Sequence, residues 1–208
     1  MAASFLDSEC EFWKMTESLA THCQPYSCSK DKHINDFFHH EFSDYDYQML
    51  GKTYCFVTSD KQKMVAAFTV ANSSVRVDNM PKPKRNKLNR KIPFSKQRSQ
   101  YPAVLVAQLA VFDEFAGKKI GQEVIDFIKS WFINPLNKTG CRYIIVDAVN
   151  TPKVLQFYLD NGFDFIFSSD MEEIQYMSKS EHVEEGDFYR ETRLMVFDLM
   201  PIKSKSSF

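Results

Sequence analysis

The chain lacks any long apolar run. None approaches the roughly 18 residues of a membrane-spanning helix, so no membrane partner is expected. It lacks the pattern of a secretory leader as well. MAASFLDSECEF carries acidic residues where such a leader needs a basic and then an apolar stretch. A cytoplasmic protein is the expectation. Net charge is almost missing, at −1, which removes any global basic field for nucleic acid. The cysteines (Cys10, Cys23, Cys28, Cys55 and Cys141) are odd in number in a long chain, which speaks against a disulfide framework and for reduced thiols. Cys23 and Cys28, with His22 and His33 nearby, lack the ligand spacing of a structural zinc site, and no metal is expected. Glycine is scarce, at 6 in 208 residues.

What is present is a globular composition: 44% hydrophobic and 14% aromatic, with 19 Phe. The length suits one domain with decorations, read here as 1–208 with a basic insertion at 76–98. The first thirty residues show no strong period and are read as a short strand followed by irregular chain. DKHINDFFHHEF, residues 31–42, places Ile34, Phe37, Phe38 and Phe42 on one helical face, with Ser29 or Asp31 as cap. Asp44 to Leu50 reads as a second short helix closed by Gly51. Residues 53–59 and 64–71 read as strands joined by the polar turn DKQK, hence an antiparallel hairpin.

Arg76 to Arg98 stands apart. It holds nine Lys or Arg against one acid, Asp78, and three prolines interrupt it. It is read as a mobile or loosely docked insertion, either a solvated loop or a surface for a polyanion such as RNA or for the phosphates of a cofactor. YPAVLVAQLAVF, residues 101–112, is nearly continuous apolar sequence and reads as a strand covered on both faces. Residues 120–132 carry a helical stripe, stopped by Asn134-Pro135. Residues 141–149 read as a buried strand. Residues 151–159 read as a helix with Thr151 as N-cap and Pro152 in its first turn. A strand at 163–167, a polar loop at 168–186 and a last strand at 188–200 complete the order. The strand–helix–strand units of the second half predict parallel pairing there, and the fold class predicted is a mixed α/β sheet with helices on both faces.

The informative stretch is AVFDEFAGKKIGQEVI, residues 110–125, where a strand turns into a helix. A helix start leaves amide donors unpaired and carries partial positive charge, and glycine lets backbone approach an anion. Gly117 and Gly121 sit at that junction, with Lys118 and Lys119 between them.

With its context the stretch resembles the GNAT superfamily of acyl-CoA-dependent N-acetyltransferases. LAVFDEFAGKKIGQEVIDFI is similar to that family's strand, pyrophosphate loop and helix, CRYIIVDAVN to its next strand, and VLQFYLDNGFDFI to its late helix and return to the sheet. CSKDKHINDFF and GKTYCFVTSD further resemble the branch containing tRNA-acetylating toxins, so that the likeness runs from about residue 25 to 168. The resemblance implies a mostly antiparallel sheet splayed at its centre. It implies acetyl-CoA as co-substrate, with Leu109, Ala110 and Val111 against the pantetheine arm and the amides of Ala116, Gly117, Lys118, Lys119, Ile120 and Gly121 on the pyrophosphate. The implied reaction is attack of a neutral amine on the thioester, with Tyr158 protonating the departing thiolate. Asn150 either positions the cofactor or serves its turn. Asp113, Glu114 and Asp147 lie near strand ends without any being legible as a base, and His39 and His40 read as surface or groove residues. The partners implied are acetyl-CoA, an amine acceptor (small molecule, protein or aminoacyl-tRNA), RNA along 76–98, and a second copy in a homodimer. The sequence departs from the family's loop pattern at two positions. Ala116 replaces Gln or Arg, and Lys119 takes the central glycine position, where a lysine is expected to hold a negative φ or relax the loop. Those departures keep a second expectation alive: a catalytically impaired binding module on the same fold.

Overall fold

The computed structural model describes residues 4–78, 80–90, 92–93, 98–178 and 190–206. They group into two compact units, Met1–Asn72 with Val106–Asn134, and Ser73–Leu105 with Pro135–Phe208.

In the first unit the polar turn after Ser59 does what its sequence dictates. β2 (Lys52–Thr58) and β3 (Met64–Arg76, its first nine residues in this unit) pair antiparallel, with Cys55 opposite Ala67 and a register shift at Phe56/Val57. β1 (Cys10–Lys14) pairs antiparallel on the other side of β2, Phe12 opposite Phe56. Strand alternation then sorts the side chains. Cys55 and Val57 face one cluster with Met15, Ala20, Cys23, Phe37, Phe38, Phe42 and Phe112. Tyr54 and Phe56 face the other way, onto Phe12, Phe127 and Trp131, with Phe12 and Phe127 4.5 Å apart and Tyr54 and Trp131 4.8 Å apart. Phe127 and Trp131 belong to α6 (Ile120–Ile133), and Phe37, Phe38 and Phe42 to helical segments, so helices cover both faces.

The first thirty residues hold more regular structure than their composition announces. α1 (Phe5–Glu9) is capped by Ser4, whose Oγ accepts from Asp7 N at 3.1 Å, and α2 (Glu17–His22) by Thr16, accepting from Leu19 N at 3.2 Å. Both are too short to show a period. The helix expected at 31–42 is broken in kind: α3 (Lys32–Asp36), capped by Asp31, passes into a π-helical turn at Phe37–Glu41 and then into α4 (Phe42–Tyr47). The wider turn keeps Phe37, Phe38 and Phe42 buried on one side.

In the second unit, β4 (Gln100–Val111, its first six residues here) and the end of β3 supply Val75, Tyr101 and Ala103 to a second core with Tyr143, Ile145, Phe167 and Val196. The basic insertion is not merely a loose loop. Val77 and Met80 are buried, and α5 (Lys82–Asn89) starts on its prolines and packs Leu88, with Ile92 beyond it, against the same core. Tyr101 Oη donates to Asn89 Oδ1 at 2.6 Å. Lys91 and residues 94–97 of this insertion lie outside the described residues.

β5 (Tyr143–Val149), α7 (Pro152–Asp160) and β6 (Asp164–Phe165) follow the predicted order, β6 being shorter than expected. The predicted polar loop begins as α8 (Asp170–Ser178); its remainder, residues 179–186, lies outside the described residues, as does the start of the last strand at 188–189. β7 (Thr192–Asp198) ends earlier than expected, and α9 (Met200–Ser206) follows. Parallel pairing of β5 with β6 does not occur. β7 lies between them and is antiparallel to each, Ile145 opposite Val196 and Asp164 opposite Val196. The sheet has seven strands in the order β1-β2-β3-β4-β5-β7-β6 and is mostly antiparallel. The fold class expected from the sequence is the one found. No helix among the described residues is long and apolar enough to cross a membrane.

Candidate functional site

Two strand-to-helix turns carry the candidate residues, one in each unit. In the first, β4 ends with Leu109 and Val111 half-buried and Ala110 buried, and Phe112 N donates to Val65 O at 3.1 Å. A single 3-10 turn, Asp113–Phe115, follows, and Ala116 returns to extended backbone. Gly117 sits at φ +79 with nothing within 4 Å of an added Cβ, so this glycine is needed for its conformation and not for space. Lys119 is the N-cap of α6 at φ 62, ψ 10, in the left-handed region. The expected negative φ is therefore not adopted. The loop keeps the bend that a glycine would hold and places a lysine in it, at a cost of roughly 1–2 kcal/mol.

That bend has a chemical result. The backbone N–H groups of Gly117, Lys118, Lys119, Ile120 and Gly121 have no acceptor among the described residues; the first bonded amides are Gln122 and Glu123, both onto Lys119 O. These idle donors lie at the positive end of a 14-residue helix. No carboxylate neutralises Lys118 or Lys119 among the described residues. Lys118 Nζ lies over the Phe115 ring, 5.3 Å from its centroid. The Ala116 side chain is small and its amide is bonded to Asp113 O, so of the residues expected on the pyrophosphate it alone offers no free N–H.

The two acids that follow β4 are occupied. Asp113 accepts from Ser27 Oγ at 2.8 Å and Ser29 N at 2.9 Å, and those bonds, the Ser29 amide first, hold its carboxyl below the ordinary range. Glu114 is paired with Lys63. Tyr26 and His39 stack at 4.4 Å and 7°. Sequence reasoning missed that pairing, because nothing local marks a contact across thirteen residues.

In the second turn, Asn150 closes β5. Its Nδ2 donates to Asp170 Oδ2 at 3.1 Å and Arg190 O at 2.8 Å, and its backbone N donates to Glu191 O at 2.8 Å. Thr151 is the N-cap of α7 without a side-chain cap bond. Asp147 is exposed on β5. Tyr158, on α7, is half-buried and packs edge-on to Phe157 and Phe163, at 5.1 and 5.3 Å. Its hydroxyl has no hydrogen-bond partner among the described residues, and desolvation pushes the phenol up to about 12. Below α7 lies a charge cluster that the sequence concealed. Arg193 reaches Glu173 Oε2 at 2.9 Å, Asp170 Oδ1 at 2.6 Å and Phe167 O at 3.0 Å, while Glu173, fully buried, also accepts from Leu194 N at 2.8 Å. Among the described residues no cluster of His, Cys, Asp and Glu is arranged to hold a metal ion.

Strand order and helices together make a GNAT-like fold. Solved structures that share it include a tyrosine-to-phenylalanine mutant of KacT (15% identity, TM-score 0.67, 95% of this chain and 99% of that chain). They also include AtaT complexed with acetyl-methionyl-tRNAfMet (15%, 0.66, 95% and 99%) and AtaTR bound with AcCoA (16%, 0.65, 95% and 98%). At these identities the likeness is one of fold. No family model matches the sequence, and no curated protein matches it.

Proposed function

We propose that the chain is an acetyl-CoA-dependent N-acetyltransferase acting on a primary amine. The observation that carries this reading is the row of idle amides at 117–121, on a fold shared with a structure that holds acetyl-CoA. A diphosphate accepts several such donors at once, and Lys118 and Lys119 add unneutralised charge beside it. The apolar strand end Leu109, Ala110 and Val111 is assigned to the pantetheine arm. Tyr158 is assigned to protonate the thiolate. Its phenol keeps its proton at neutral pH, and a donor without an internal partner is free to bond the sulfur. Asn150 spends its amide hydrogens inside its own unit, which favours turn chemistry for it.

For the acceptor, an aminoacyl-tRNA is the reading favoured by α5. Lys82 and Arg90 meet no carboxylate among the described residues, and Lys87 has only the exposed Asp164 at 3.6 Å. These cations are set to meet phosphates. Charge reversal at Lys82, Lys87 and Arg90 tests this better than deletion of 76–98, which would remove the buried Val77 and Met80. Weaker tRNA binding with a shallower salt dependence is expected, and equal binding removes RNA from the reading.

Titration calorimetry with acetyl-CoA tests the core of the proposal. Saturable heat and a rise in melting temperature are expected; neither at millimolar ligand overturns it. Tyr158→Phe is expected to lower kcat about 10²-fold or more with acetyl-CoA affinity nearly unchanged. Because the native phenol holds its proton more tightly than an unfolded one, its burial costs no stability up to pH about 10. Stability then falls as pH rises toward about 12, and falls less steeply in Tyr158→Phe.

A further inference from the structure

We infer that His39 is the base that takes the proton of the acceptor amine, an inference that rests on the acetyltransferase reading above. His39 sits in the π-helical turn Phe37–Glu41, and a π turn inside a helical run is a frequent mark of a functional site. Its Nε2 lies 3.0 Å from the Tyr26 carbonyl oxygen. A carbonyl only accepts, so Nε2 carries the hydrogen and the neutral ring presents Nδ1 as a bare lone pair. Nδ1 has no partner among the described residues, and the side chain is half-exposed.

Two rings flank the imidazole. Tyr26 stacks on it at 4.4 Å, His40 lies 5.9 Å away, and Tyr26 is itself fixed by donating its hydroxyl to Phe38 O at 3.1 Å. The Tyr26 ring packs edge-on to Phe112 at 4.8 Å, and Phe38 to Phe112 at 6.1 Å. Phe112 directly follows Leu109–Val111, the strand end assigned to the pantetheine arm. Asp113, next along, is stitched to the chain beyond Tyr26 by Asp113 N to Ser27 O at 2.9 Å and by its carboxylate on Ser27 and Ser29. A buried aromatic relay thus ties an oriented imidazole to the strand end where the thioester would lie. The titratable groups in ring contact with it are His40 and Tyr26, and Tyr26 stays protonated, pushed up to about 12 by burial. The two acids that directly follow the strand end, Asp113 and Glu114, are both engaged.

In the step assigned, the amine nitrogen bonds the acyl carbon and the carbon–sulfur bond breaks. The nitrogen's proton passes to Nδ1 of His39, and the sulfur receives the proton of the general acid already named. His39→Gln is the discriminating variant: its amide nitrogen keeps a donor for the Tyr26 carbonyl while the basic lone pair is lost. With methionyl-tRNA or a lysine peptide as acceptor, kcat/KM is expected to fall about 10²-fold and to lose its acid limb, with acetyl-CoA affinity unchanged and the melting temperature lowered only by the lost stack on Tyr26. Unchanged kcat/KM with the limb intact overturns the inference and leaves the acetyltransferase reading standing. Nitrogen chemical shifts of the neutral wild-type imidazole decide independently of turnover: the Nε2–H tautomer is expected, and an Nδ1–H tautomer overturns the assignment. Failure of the wild-type protein to bind acetyl-CoA at all overturns both.

Discussion

The chain makes the same manoeuvre twice, a strand turning into a helix, and finishes the two turns in opposite ways. At the end of β5, Asn150 N and Thr151 N find carbonyls, Pro152 has no N–H to place, and the Asn150 amide binds Asp170 and Arg190. Only Lys153 and Val154 are left with the idle donors that a helix start ordinarily keeps. At the end of β4, five successive N–H groups find nothing among the described residues, and the backbone is held in a left-handed lysine to keep them so. Gly117, Lys118 and Lys119 are exposed, so their amides stand open to solvent or to an anion. The lesson is that donor bookkeeping separates a turn that spends its amides inside the fold from one that leaves them open, even where both start well-formed helices.

The largest expected effect breaks the satisfied side. Glu173→Gln leaves Arg193 short of charge in a buried place, and a loss of about 3–5 kcal/mol is expected by denaturant unfolding. Next comes a pair of variants that should separate cleanly. Asn150→Ala removes two donated bonds and is expected to cost about 1–3 kcal/mol of stability with acetyl-CoA affinity unchanged by calorimetry. Gly117→Val meets no neighbour, so its cost is the strain of a β-branched residue at φ +79, and acetyl-CoA affinity is expected to fall at least tenfold as the idle amides lose their shared orientation. If Asn150→Ala weakened acetyl-CoA as much as Gly117→Val, the contrast between the turns would collapse. Lys119→Gly should relieve the left-handed backbone, raising stability by about 1 kcal/mol in thermal melts with only a small, salt-sensitive loss of affinity, because the backbone is assigned to hold the diphosphate and this side chain adds only charge beside it. The smallest effect sharpens the same point. Lys118→Ala loses a contact with Phe115 worth about 0.5–1 kcal/mol at an exposed site, and its effect on acetyl-CoA binding should fade as salt is raised.

How much of this was legible depends on how far apart the determining residues lie. The hairpin of β2 and β3, the run from β4 into α6 and the run from β5 into α7 are written in local periodicity, caps and prolines, and the sequence placed each within a few residues. α1 escaped because five residues carry no period and because its support is distant: Leu6 N donates to Glu123 Oε2 at 2.9 Å, and Phe5 meets Phe115 at 6.0 Å. α8 escaped because its buried member is a glutamate, which reads as solvated until Arg193 is seen beside it. α5 was hidden by prolines that start a helix as readily as they break one. The candidate loop was legible in position but not in conformation, since nothing local to Lys119 says that it takes φ 62 rather than a relaxed bend. The His39 pairing with Tyr26 required the fold itself.

The place of β7 has a further consequence. β5 and β6 are synthesised first, yet neither can pair with the other, and the slot between them waits for Thr192–Asp198. Until that segment leaves the ribosome, two margins of unbonded backbone stand open, an invitation to neighbouring chains. A product truncated before Thr192 would therefore be expected in inclusion bodies rather than as a shortened working molecule, and a chaperone that shields nascent edges should raise the yield of the full-length chain.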